Sequence, residues 1–237
     1  MRSLMGLPSL LLVVVASADR IVLECHTSVN RADGNLTIEL YPEWAPLGVE
    51  RAIALAEDGF FSNLPFFRAI PHFLIQFGIQ LDAAKQRHWQ HQGNIKDDPS
   101  QGIPFTEGVV SFAGYSKDSR STHLFITLGE QRGLGSRPWE VAIGKVVRGI
   151  DVVHGIYTGY GDQVQQGRLQ RSDAVQYVAD NFPKLDKFEA CEVRRNTPST
   201  AGGAALEAAV PQEGAPLGEE GGRQGAVETE KGEERGE

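Results

Sequence analysis

"FFRAIPHFLIQFG", Phe66 to Gly78, is apolar nearly throughout, yet it carries Arg68 and Gln76. Arginine is almost never fully buried without a partner, so this run is not a plain core element. Pro71 divides it into two extended pieces. Successive side chains of a strand point to opposite faces. In the first piece Phe66, Arg68 and Ile70 then share one face, opposite Phe67 and Ala69. In the second, Leu74 and Gln76 lie opposite Phe73, Ile75 and Phe77. The same alternation in "THLFIT" puts His123, Phe125 and Thr127 together. Three strands therefore each set a hydrogen-bonding group beside a large apolar one, the pattern of a cleft wall. Each residue also has a plainer reading on its own. Arg68 snorkels over Phe66, Gln76 caps a strand edge, and His123 is a surface histidine.

The neighbouring sequence supplies the rest of a β-rich body. "IVLECHT" (Ile21 to Thr27) reads as a strand, and Asp33-Gly34 marks a turn before the alternating "LTIEL". Pro46 can start a helix in "APLGVERAIALAEDGFF", which has apolar residues at helical spacing and Gly59 near its end. "GVVSFAG", "HLFITLG", "EVAIGKVV" and "KFEACEV" are further strands, and "GIDVVHGIYTG" is a short helix with Ile150, Val153 and Ile156 on one face. The polar stretch from Asp82 to Thr106 reads as a long loop. Short strands between turn residues, with two helices, predict a closed or nearly closed antiparallel barrel.

The two ends have a different character. Arg2, the apolar run Leu4 to Val15 and the small residues Ala16-Ser17-Ala18 read as a signal peptide over 1–18, with entry into the secretory pathway (ER or Golgi lumen, or secretion). The run is short for a bilayer span, so no stable membrane insertion is expected after cleavage; an uncleaved anchor is the competing reading. From Thr197 to Glu237 there are nine Glu, three Lys or Arg and no aromatic residue. This composition predicts a disordered acidic tail over 197–237, leaving 19–196 as the folded domain. Of the chain's net charge of −8, the tail carries −6 and the remainder −2. A near-neutral body lacks the basic face of a nucleic-acid binder.

Several chemistries are set aside. "HWQH" (His88 to His91) has no acidic or thiol partner at metal-ligand spacing and reads as a solvated loop. "GLGSRP" and "GYGD" do not join a strand to a helix as phosphate loops do. Ser111 lacks the nucleophile-elbow context. Two cysteines, Cys25 and Cys191, are too few for a thiol-only zinc site or a disulfide-dense scaffold. No metal or cofactor is expected, and any catalysis is noncovalent.

Taken together, the blocks resemble the cyclophilin family. "FFRAIPHFLIQFG" is similar to its F-x-R-x-I-P-x-F-x-x-Q-x-G signature, and the likeness continues, in order, through "GNLTIELYPEWAP", "GVVSFAGYSKDSRSTHLFITLG" and "IGKVVRGIDVVHGIY", spanning about Ile21 to Glu192. The resemblance implies a closed eight-stranded antiparallel β-barrel capped by two helices. It also implies peptidyl-prolyl cis-trans isomerase activity on proline-containing polypeptides, in a chain expected to be monomeric. It places the catalytic arginine on Arg68, with Phe73, Gln76 and Phe125 beside it. Leu74 joins the apolar proline pocket, while Ala113 and Gly114 offer backbone groups to the peptide. His123 stands where the family has a second Gln. The family's Trp and His of the following segment fall, without a gap, on Gly135 and Glu140. These departures leave open a catalytically weak module that binds proline-containing peptides. In the resembled barrel the first and last strands are neighbours, which makes Cys25–Cys191 a disulfide candidate. Asn35, in "NLT", is an N-glycosylation triplet in a predicted turn.

Overall fold

A computed structural model describes residues 20–30 and 32–196. The expected signal peptide and acidic tail lie outside the described residues. Nine strands form one antiparallel sheet: β1 (Arg20–Thr27), β2 (Asn35–Leu40), β3 (Leu64–Pro65), β4 (Arg68–Ile70), β5 (Leu74–Phe77), β6 (Val109–Phe112), β7 (Leu124–Thr127), β8 (Ala142–Arg148) and β9 (Lys187–Asn196). Their order is β3-β9-β1-β2-β8-β6-β7-β5-β4. The two edge strands, β3 and β4, are consecutive in the chain with only Phe66 and Phe67 between them. Three Cα steps bring Arg68 within about 11 Å of Pro65, so the sheet must curl until its edges nearly meet.

The closed eight-stranded barrel is thus corrected to a curled nine-stranded sheet in which β3 and β4 do not pair. The physical reason is where the edge donors go. The Phe66 N–H bonds the Asp186 carbonyl at 2.9 Å, and the Ala69 N–H bonds the Gly161 carbonyl at 3.0 Å. Loops take the place of a closing strand. The same interruption breaks the expected sharing of a face by Phe66 and Arg68. The Phe66 ring turns inward against Phe77 and Phe188, with centroids 6.0 and 4.6 Å away, and Phe67 joins Ile79, Val164 and Leu169 in a second apolar cluster.

Among the described residues five α-helices, not two, accompany the sheet. Two were legible: α1 (Pro46–Glu57) and α3 (Ile150–Gly155). The others are α2 (Ala83–His91), α4 (Gln166–Leu169) and α5 (Ala174–Asn181). Helix α2 replaces part of the predicted loop, so "HWQH" is helical. Its polar run hides one apolar anchor, Trp89, which is buried and donates from Nε1 to Asp58 at 2.8 Å. Asp82 caps it by accepting from the Ala84 and Lys85 amides. The main core packs the concave face of the sheet (Leu36, Ile38, Ile75, Phe77, Phe112, Ile126) against Val49, Ala52 and Leu55 of α1 and Val152 and Val153 of α3. Asn35, predicted in a turn, is the first residue of β2 and pairs with His26.

Helix α1 begins after Ala45, which has no side-chain oxygen to cap it. The cap comes from far along the chain. The Asp98 carboxylate accepts from the Leu47 and Gly48 amides, both at 2.9 Å, and pairs with fully buried Arg120 at 2.9 Å. A Cβ at Gly48 would stand 2.7 Å from Ile143 and 3.1 Å from the Arg120 guanidinium, so glycine leaves room for this contact. Arg120 also approaches Asp97 at 3.4 Å, donates to the Lys96 carbonyl and lies over the Phe112 ring. Cys25 and Cys191 are direct partners in the β1–β9 ladder and form a disulfide across 166 positions of sequence.

Two stability predictions follow from these ties. Asp98→Ala, which strands the Arg120 charge in the interior, is expected to lower unfolding free energy by about 3–5 kcal/mol, measured by urea denaturation. A loss no larger than that of an exposed Asp→Ala control counts against this pair as an anchor. The double variant Cys25→Ala/Cys191→Ala is expected to lose about 2–4 kcal/mol under non-reducing conditions and nothing further on adding reductant.

Candidate functional site

The hairpin of β4 and β5 builds the site from local chemistry. Pro71 ends the first strand, His72 takes a left-handed φ of 60°, and the Phe73 N–H closes the turn on the Ile70 carbonyl at 3.1 Å. The Phe73 carbonyl then accepts from the Leu128 amide at 2.9 Å, and Gln131 donates to the His72 carbonyl at 2.7 Å. This turn suspends strand alternation. Phe73, which a regular strand would place opposite Leu74, packs with Leu74 and Phe125 instead.

Cross-strand register does the rest. Arg68 pairs with Gln76 in β4–β5, Gln76 with Phe125 in β5–β7, and Phe125 with Ser111 in β6–β7. Directly paired residues project to the same face, so these side chains form a row on the convex face of the sheet. Half-buried Arg68 donates from Nη1 to the Gln76 Oε1 at 3.3 Å, and its Cζ lies 5.5 Å from the Phe73 ring centroid. The guanidinium is held between an amide oxygen and a ring face. Beside it lies an apolar cluster of Leu74 (4% exposed), Phe125 (3%), Val109, Ala142 and Phe105 (4%), with Phe73, Ile103, Ala113, Leu134 and Trp44 packed against it. Ser111 donates its hydroxyl to the Val141 carbonyl at 2.9 Å and has no exposure, so it is a structural residue.

The other sequence-predicted positions divide. The Ala113 N–H is taken by the His123 carbonyl at 2.8 Å, so only the Ala113 carbonyl side of that unit stays available. Gly114 lies under Trp139, whose ring atoms come within 2.7 Å of where a Cβ would be. The Glu140 carboxylate accepts from the Gly135 amide at 3.0 Å and the Arg137 amide at 3.4 Å, closing its own loop. Gly135 has φ of 83°, a region favouring glycine, and lies against the Phe105 ring.

His123 meets the Phe67 ring at 6.0 Å and, with Gln86, Trp89, Gln90, Asn94 and Thr122, lines a cavity of about 220 Å³. That lining carries no carboxylate. Burial disfavours the imidazolium and pushes the His123 pKa below its ordinary value. Phe105, Ile103, Leu134 and Trp44 pack with the sequence-predicted Leu74 and Phe125, and sequence reading did not pick them out. The available signal was "GIPF", an apolar island inside a polar stretch.

A family model, cyclophilin type peptidyl-prolyl cis-trans isomerase/CLD, matches residues 23–179. Peptidyl-prolyl cis-trans isomerase-like 3 of Dictyostelium discoideum is 31% identical over 131 residues, which cover 54% of this chain and 76% of that protein. Peptidyl-prolyl cis-trans isomerase-like 2 of Gibberella zeae is 35% identical over 125 residues, 51% of this chain but only 21% of that larger protein. Among solved structures, a Cryptosporidium parvum cyclophilin type peptidyl-prolyl cis-trans isomerase, determined in the presence of the dipeptide Ala-Pro, superposes with a TM-score of 0.52. It is 18% identical, and the match covers 74% of this chain and 99% of that one. At that identity the likeness shows the shared fold.

The His123 environment has a pH consequence. Its folded pKa is lowered, so the unfolded chain binds the proton more tightly. The stabilising contribution of the neutral ring is complete above the unfolded pKa of about 6.5 and is lost as pH falls below it. Between pH 7.5 and 5.5 the native chain should therefore lose more unfolding free energy than His123→Gln. Parallel denaturation curves at the two pH values check this; equal losses rule out a titrating His123.

Proposed function

The chain belongs to the cyclophilin-type peptidyl-prolyl cis-trans isomerase family, and from that premise we propose that it catalyses rotation about X–Pro bonds of polypeptides at the Arg68 row. The observation that carries the proposal is the fixed guanidinium, hydrogen-bonded to Gln76 and lying over Phe73 at the border of an apolar cluster.

Amide resonance resists rotation with a barrier of about 18–20 kcal/mol. The two X–Pro isomers differ by only about 0.5–1 kcal/mol and exchange in tens of seconds. A turnover near ~10³ s⁻¹ requires a barrier lower by roughly 7 kcal/mol. No bond breaks, so it is enough to bind the twisted amide better than either planar form. Twisting returns the lone pair to the nitrogen as a hydrogen-bond acceptor. Arg68 is a permanently charged donor, and its two supports keep it aimed without reorganisation at the moment of twisting. Phe73, Leu74 and Phe125 take the proline ring. Gln76 steadies the flanking peptide along with the arginine, and the Ala113–Gly114 backbone offers its remaining polar groups.

Work on clients in the secretory pathway, as a monomer and without nucleic acid, is part of the same reading. The N-terminal 1–18 pattern, the acidic tail and the Cys25–Cys191 bridge support it, since disulfides persist in oxidising compartments. Asn35, half-buried at the start of β2, is the acceptor for a glycan on that route. One observation favours a second reading, a peptide-holding module with slow turnover: Phe125 is 3% exposed in the free protein, with the Phe105 ring stacked beside it.

An isomerisation assay on a short Ala-Pro peptide separates the two. Arg68→Ala is expected to keep the fold and to lower kcat/KM at least about tenfold. An unchanged rate removes Arg68 from the catalytic role, and a native rate no faster than solvent favours the holding module.

A further inference from the structure

The strongest unassigned feature is Phe105. It arrives from the segment between α2 and β6, far in sequence from the strands that carry Arg68 and Phe125. Its ring centroid is 6.0 Å from that of Phe125, and the planes are 26° apart. The ring occupies the space that a side chain at Gly135 would need: a Cβ there would come within 2.9 Å of Phe105 Cδ2 and Cε2. Its backbone is also fixed, because the Phe105 carbonyl accepts from the Gln131 amide at 2.7 Å and the following Thr106 N–H bonds the Pro104 carbonyl at 2.9 Å. Leu74, Val109 and Ala142 belong to the same buried cluster, and Ile103 and Leu134 pack against it.

We propose that Phe105 is a specificity-determining wall of the proline subsite, restricting it to the five-membered ring. This rests on the isomerase reading for the location of the subsite. The argument is one of volume. Phe125 and Leu74 form the floor, and both are almost covered in the free protein. The ring at 105 is 4% exposed and packed in one cluster with Leu74, Val109, Phe125 and Ala142, so it has less room to move than a surface side chain. Interiors packed at this density feel a single added methylene. A substrate carrying pipecolic acid, the six-membered homologue of proline, adds that methylene against a wall that does not yield. Discrimination by one methylene in an apolar pocket amounts to about 10–200-fold.

The test compares Ala-Pro and Ala-pipecolyl versions of one peptide on the full chain, scoring both kcat/KM and Kd. The native protein is expected to prefer the prolyl peptide at least about tenfold in both. Phe105→Ala is expected to bring the ratio towards one by improving the pipecolyl peptide, even where the prolyl rate falls. Phe105→Leu, which keeps more of the packing, gives an intermediate ratio and serves if the alanine variant does not fold by circular dichroism. If both peptides weaken equally in the variants, Phe105 is only a packing residue and the inference is overturned. If the native protein shows no isomerisation but the Kd ratio moves as expected, the enzyme reading fails while the wall stands.

Discussion

A fully buried guanidinium, Arg120, joins three parts of the chain that sequence separates widely. Through Asp98 it reaches the first turn of α1, through the Lys96 carbonyl it holds the segment after α2, and its own backbone carbonyl accepts from the Ile95 amide. Removing one partner of such a pair is costly because it leaves an unpaired charge in a medium of low polarisability. The pair therefore fixes the course of residues 95–98. That course matters for the site, because the same segment runs on to Ile103 and Phe105 before entering β6. A neighbouring reciprocal pair, in which the Asp97 and Asp118 amides each donate to the other's carboxylate at 2.8 and 2.9 Å, extends the brace to the turn after Gly114.

The curled sheet and this brace divide the work. Register alone aligns Arg68, Gln76 and Phe125, since pairings across β4, β5 and β7 leave no other arrangement for three side chains on one face. The disulfide acts on the far side, tying β1 to β9 where the N- and C-terminal parts of the domain meet. Register cannot bring in residues from outside the sheet. Phe105 and Trp139 are delivered by loops, and their placement depends on the carboxylates of Asp98 and Glu140, which satisfy backbone amides that no strand or helix would otherwise pair.

What could be read beforehand follows the same division. The strands were legible because alternation and turn residues are local signals, and so was the setting of Arg68 and Gln76 beside large apolar side chains. The number of strands was not, because a two-residue strand such as Leu64–Pro65 has no period to detect. Helix α2 was hidden by its polar surface: only Trp89 and Gln86 are buried, and the Asp82 cap is a short signal without a following apolar stripe. Gly135 and Glu140 could be aligned by position but not assigned a task. Whether a carboxylate meets a ligand or closes its own loop depends on backbone geometry, and here Glu140 closes its loop.

Arg120 and Arg68 illustrate how position decides a side chain's partners. Arg120 and Arg68 carry the same charge, yet the carboxylates of Asp98 and Asp97 flank Arg120, so its charge is balanced where it stands. The partners of Arg68 are a neutral amide oxygen and the face of Phe73. These orient the guanidinium without cancelling its field, and a ring face attracts a cation only modestly, by about 0.5–1 kcal/mol at partly exposed sites. The two contacts recorded for Arg68 leave its charge without a carboxylate partner among the described residues. In an apolar cleft emptied of water, a donor with uncompensated charge acts at a lower effective dielectric than it would in solution. On the function proposed for the Arg68 row, an acceptor that strengthens as an amide twists would be favoured most at its most twisted, so such a site would select a transition state over either planar ground state.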